Sequence, residues 1–168
     1  MRAVTNTSPL HYLILIEQVD LLSLLYEQVI IPRAVIDELQ HPSTPIRVRT
    51  WVGALPPWCE IQQPHQAIPG ELVRLGAGER DAILVAEELR ADILLLDDDA
   101  RRKAAQRRGL RRTGTLGILG TAGARGLVDF PAVIAQLHAT SFRMPSPAVL
   151  ENMLTQYAAR KQEGSESI

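Results

Sequence analysis

The run Ile93-Leu94-Leu95-Leu96 constrains the fold of this chain more than any other stretch. An unbroken apolar strand has no side left for water, so it reads as a strand buried between layers. Similar short strands are expected at Arg2–Thr5, Val29–Ile31, near Cys59–Gln62 and at Arg111–Thr113. Helical stretches fall between them: Leu10–Leu15, Val19–Tyr26, Pro32 to just before His41-Pro42, Ile46–Val52, Glu79–Leu89 and Asp99–Arg108. Three more follow, at Leu116–Ala124, Pro131–Ala139 and Pro147–Arg160. Strands alternating with helices predict an α/β fold, a three-layer α/β/α sandwich with a mainly parallel central sheet. Thr7 or Ser8 can cap the first helix, with Pro9 in its first turn. Gly109 can close the Asp99–Arg108 helix in a left-handed cap.

A length of 168 residues fits one domain with a real core, expected over residues 1–160, with 161–168 as a flexible tail. The apolar run from Leu10 to Leu25 is interrupted by Glu17, Gln18 and Asp20, which makes it a poor membrane span. The single cysteine, Cys59, excludes an internal disulfide and a multi-cysteine zinc site. With no signal peptide visible, a reducing, cytoplasmic setting is expected. The net charge of −1 means that any nucleic-acid surface must be local.

The apolar strand runs directly into Asp97-Asp98-Asp99. One aspartate would suffice to cap the next helix. Three successive carboxylates repel one another, and a cation relieves that repulsion, so Asp97 or Asp98 is a candidate site residue. Asp99 fits the first turn of a helix. Glu38 lies at the margin of an apolar stripe, where a plain solvated glutamate is the competing reading; its neighbour Asp37 should face solvent. Glu79 shares a face with Ala82, Ile83 and Ala86, and Asp81 with Leu84 and Val85. Both could simply complement the helix dipole, and periodicity does not choose between them. Asn6 ends the first strand; its amide oxygen can take a metal, or its side chain can form a turn. Ligands of parallel sheets bind beyond the carboxyl ends of the strands, where Asn6 and the Asp97 cluster fall. Oxygen donors gathered there suit a hard divalent cation.

Directly after the acids come Arg101, Arg102, Lys103, Arg107, Arg108, Arg111 and Arg112, seven cations in twelve positions. They could contact a phosphate backbone, or form a solvated helix face. Aromatic residues make up only 4%, too few to infer a base preference. Gly114-x-x-Gly117-x-x-Gly120 is not a dinucleotide fingerprint, and neither a P-loop nor a G-x-S-x-G elbow occurs. Close helix packing explains those glycines better.

Five ordered blocks resemble a branch of the PIN-domain family: Val4–Leu10, Ile31-Pro32-x-x-Val35-x-x-Glu38-Leu39, Gly78-Glu79-x-x-Ala82-Ile83, Leu95-Leu96-Asp97-Asp98-x-x-Arg101-x-x-Ala104, and Gly114-Thr115-Leu116-Gly117-Ile118-Leu119. The resemblance spans nearly the whole chain and is thinnest across residues 43–70. It implies Mg²⁺- or Mn²⁺-dependent endoribonuclease activity, as in the toxin half of VapBC-type pairs, with dimerisation and a small antitoxin that blocks the site. By position, the family's acids fall on Asn6, Glu38, Glu79 or Asp81, and Asp97 or Asp98, and its supporting hydroxyl on Ser8. The metal ligands implied are Glu38, Asp81, Asp97 and Asp98, and RNA would run over Arg101, Arg102, Lys103, Arg107 and Arg108. The departure is Asn6, where active PIN nucleases usually carry aspartate, although the branch that the chain resembles favours asparagine. Losing that charge weakens metal binding and removes a water-activating ligand. The alternative is therefore a catalytically weak PIN-like module that binds nucleic acid or protein.

Overall fold

The structure is a computed structural model that describes residues 1–97, 105 and 108–165, with side chains through residue 159. Asp98, Asp99, Arg101, Arg102, Lys103 and Arg107, all expected in or near the site, lie outside the described residues.

Residues Met1–Thr115 form one compact unit, built on a sheet of five parallel strands. These are β1 (Arg2–Thr5), β2 (Gln28–Pro32), β3 (Cys59–Gln62), β4 (Ile93–Leu95) and β5 (Arg112–Thr113). Their order across the sheet is β3-β2-β1-β4-β5. Ala3 sits level with Val29 on one side and Ile93 on the other. The chain winds outward from β1 through β2 to β3, then returns to lay β4 on the other side of β1. This reversal puts the topological switch point of the sheet at β1 and β4, whose carboxyl ends are the usual ligand position in such sheets.

Helices α1 (Thr7–Leu15), α2 (Leu21–Leu25), α3 (Arg33–Leu39), α4 (Ile46–Val52) and α5 (Ala77–Glu88) connect the strands, with a single 3₁₀ turn at Gly70–Leu72. Helix α5 crosses β1, β2 and β4 and buries Ala82 to Ala86 against Val4, Ile30, Leu94 and Leu96. The strand residues pointing the other way, Ala3, Thr5, Val29, Ile31 and Leu95, are equally buried. The sheet is thus the middle layer of an α/β/α sandwich. Burying one such Leu or Ile contributes about 1.5–3 kcal/mol, and truncating Ile83 to alanine would cost roughly 2–5 kcal/mol.

The second unit, from Leu116 on, carries α6 (Thr115–Ala124), α7 (Phe130–His138) and α8 (Pro147–Ser165). Asp129 caps α7 by accepting from the Ala132 N–H at 3.2 Å. Gly126, at φ +71°, ends α6. A Cβ on Gly123 would come within 2.9 Å of the Phe130 Cβ and 3.3 Å of the Tyr157 ring. Gly123 is therefore the glycine that permits close packing. A Cβ on Gly120 would meet nothing within 4 Å, so the packing role expected of Gly120 is not found.

Other differences from the sequence reading are local. The N-cap of α1 is Asn6, extended at φ −85° and ψ 175°, and it makes no side-chain capping bond. Neither Thr7 nor Ser8 caps; both already lie within the helix, and Thr7 points its hydroxyl elsewhere. Helix α5 begins two residues before Glu79, with Gly76 at its N-cap. Helix α8 runs past Arg160 to Ser165, into the segment expected as a tail. Gly109 adopts φ +70°, the left-handed conformation expected of it. No helix among the described residues is long and apolar enough to cross a membrane.

Candidate active site

Asn6 follows β1 directly. Its backbone N–H donates to the Leu95 carbonyl at 3.0 Å, which pins the end of β1 to the end of β4. The side chain is buried, and Oδ1 accepts no hydrogen bond among the described residues. A buried amide oxygen with no partner among the described residues is a place for a water or an ion to bind.

Thr7, the next residue, turns its hydroxyl to the Glu38 carboxylate on α3. The same carboxylate accepts the Gly78 N–H on Oε1 at 2.8 Å. Gly78 lies in the first turn of α5, where backbone N–H groups have no partner within the helix. Glu38 thus answers one of them and faces the positive end of the helix dipole. The fit requires glycine: a Cβ at residue 78 would stand 2.6 Å from Oε2 and 2.9 Å from the carboxyl carbon of Glu38. Glu38 remains solvent-accessible, and Asp37 beside it is exposed as expected.

The structure separates Glu79 from Asp81. Glu79 is only 5% exposed, and its Oε2 lies 3.6 Å from where a Cβ on Gly76 would be, so the side chain folds back over the first turn of α5. Asp81 instead pairs with the Arg80 guanidinium at 3.0 Å. Asp97 is held by Thr115, whose N–H donates to Oδ1 at 2.6 Å and whose hydroxyl donates to Oδ2 at 2.8 Å. These bonds tie the loop after β4 to Thr115, the last residue of the first unit.

The structure therefore brings Thr7, Glu38 and Gly78 into direct contact, with Glu79 next in the chain and Asn6 beside the β4 end. Thr7 was missed by the sequence reading, which favoured Ser8. The Ser8 hydroxyl makes no hydrogen bond among the described residues. No sequence signal ranks two adjacent hydroxyls; the turn of α1 decides which one faces α3. Among the described residues, no three His, Cys, Asp or Glu side chains are grouped to hold a metal ion. The oxygens available nevertheless fit Mg²⁺ or Mn²⁺ by chemical type, and Asn6 Oδ1, which has no partner among the described residues, fits as a neutral ligand.

Arg108 is engaged elsewhere. Its Nε and Nη2 bond the two oxygens of Glu87, Nη2 at 2.9 Å, and its Nη1 meets Glu71 at 2.7 Å. Hydrogen bonding to Glu87 raises the guanidinium pKa further. Arg108 joins the 3₁₀ turn to α5 and, paired this way, is not a free phosphate contact.

A family model described as a PIN domain matches residues 2–158. The chain belongs to the PIN-domain family. Its fold is that of a nuclease-type domain, and PIN domains generally work with divalent metals. A PilT N-terminus domain protein from the archaeon Sulfolobus solfataricus is structurally similar, at 17% identity and a TM-score of 0.49, over 86% of this chain and all of the other. No curated protein matches the chain.

Proposed function

We propose that this PIN-domain protein is a Mg²⁺- or Mn²⁺-dependent endoribonuclease. The observation that carries the reading is the Glu38 carboxylate, held by Gly78 and by Thr7, the residue that follows Asn6 at the end of β1. Glu38 and Asn6 Oδ1 would hold the ion, with Asp98, Asp97 or Asp81 as further donors and water filling the rest, as Mg²⁺ prefers. When bound, such an ion makes a coordinated water more acidic and offsets charge on the phosphate. Glu38, as a ligand of the ion, would set the direction from which such a water meets the phosphate. The first turn of α5 fixes the position of both acids, through the Gly78 N–H on Glu38 and through the fold of buried Glu79 over that turn. RNA is the substrate the resemblance implies, with Arg101, Arg102, Lys103 and Arg107 as its contacts. A homodimer blocked by a small antitoxin is the partnership that accompanies this reading.

The test is cleavage of single-stranded and structured RNAs with Mn²⁺ or Mg²⁺. Glu38→Ala is expected to lower metal-dependent cutting by about 100-fold or more, beyond the usual loss for a supporting residue. Equal cutting by wild type and Glu38→Ala would overturn the reading.

One observation favours a second reading, a binding module with lapsed catalysis. Asn6 contributes no charge, and Asp97 already accepts two bonds from Thr115. If wild type does not cut and Asn6→Asp does, this second reading replaces the first.

A further inference from the structure

We propose that Thr7 is the positioning residue of the site: its hydroxyl holds the Glu38 carboxylate in the orientation that receives a divalent cation, the role that family position would assign to Ser8. The proposal rests on the metal-dependent reading above and deepens it by giving the Thr7 hydroxyl a separately testable role.

Glu38 sits on an exposed part of α3, so its side chain would otherwise sample several rotamers. Two donors remove that freedom, one on each oxygen. Gly78 N–H binds Oε1 at 2.8 Å, and the Thr7 hydroxyl binds the other oxygen. A carboxylate oxygen has two lone pairs, so each oxygen keeps one for a cation. The donors come from two elements that are themselves fixed. Thr7 is the first residue of α1, and the preceding Asn6 N–H is bonded to Leu95 on β4. Gly78 is in the first turn of α5, which lies across β1, β2 and β4. Glu38 is thus referenced to the sheet from two sides. Threonine suits the task better than serine because its branched β-carbon restricts χ1.

The experiment uses the full chain and Mn²⁺ alone, following the free-ion signal by electron paramagnetic resonance, together with exchange of the Gly78 amide by NMR. Thr7→Val is expected to weaken Mn²⁺ binding by about 10–100-fold, the usual loss for a residue that orients a metal ligand. It should also speed Gly78 exchange, because an untethered Glu38 leaves that N–H more often. Thr7→Ser should restore most of both, and Ser8→Ala should change neither. Wild-type Mn²⁺ affinity and Gly78 exchange in Thr7→Val would overturn the role of Thr7 while leaving the nuclease reading intact. A Ser8→Ala loss equal to that of Thr7→Val would overturn it as well. A wild-type protein that binds no Mn²⁺ would overturn the metal reading itself and the cation role of Thr7 with it.

Discussion

Asp97 takes both hydrogen bonds that Thr115 can offer, N–H to Oδ1 at 2.6 Å and hydroxyl to Oδ2 at 2.8 Å. Thr115 is fully buried, so both donors would be unsatisfied without this carboxylate. Asp97→Ala is therefore expected to destabilise the metal-free protein by about 1–3 kcal/mol, the cost of stranding buried donors. Thr115→Val, which removes only the hydroxyl, should cost less. Urea unfolding in the presence of a chelator measures both. No change in either variant would show that Asp97 serves the site alone.

Two glycines should respond oppositely to alanine. At Gly120 an added Cβ meets nothing, so the higher helix propensity should stabilise the protein by about 0.5–1 kcal/mol. At Gly78 the same gain is opposed by the Glu38 carboxylate 2.6 Å away. Gly78→Ala should displace Glu38 and lower Mn²⁺ affinity, with no gain in stability. Thermal unfolding distinguishes them, and a melting temperature raised equally by both would contradict the close fit at Gly78.

Arg108→Ala should lower stability by about 1–2 kcal/mol, because Glu87 loses a two-pronged partner in a half-buried position. RNA affinity measured below the unfolding range should be unchanged, as should its dependence on salt. A reduced salt slope in this variant would return Arg108 to the phosphate-binding residues.

Burial pushes the Cys59 thiol up to about 12. The native protein should therefore react slowly with iodoacetamide near pH 8.5, the ordinary thiol pKa, and the denatured protein quickly. The folded state holds this proton more tightly than the unfolded state does. The resulting stability is complete below the ordinary thiol range and is lost as pH rises towards about 12. Cys59→Ser should flatten that alkaline decline. Fast native labelling would show that the thiol is not protected.

Periodicity and composition were enough to identify the five strands and the described α-helices, though not the 3₁₀ turn at Gly70–Leu72, and the expected Asp99–Arg108 helix lies outside the described residues. The apolar run Ile93–Leu96, the β-branched Val29–Ile31 and the amphipathic stretch after Gly78 each report on local burial, and burial by layers is what a parallel sheet with helices imposes. Glu38 was legible as a candidate because it falls at the margin of an apolar stripe and on an acid of the family pattern. Its partners were not, since Thr7 and Gly78 lie 31 and 40 residues away along the chain. The difference between Glu79, folded into the first turn of α5, and Asp81, paired to Arg80, was equally hidden, because both satisfy the same helical spacing. Arg108 looked like one more cation in a basic run until Glu71 and Glu87 were brought to it. The sequence by itself determined which segments become strands and helices and which residue types gather at the carboxyl edge, because those depend on near neighbours. Only the tertiary structure decided which donor meets which carboxylate, because a hydrogen bond depends on ångström-scale distances between segments that the chain order leaves open.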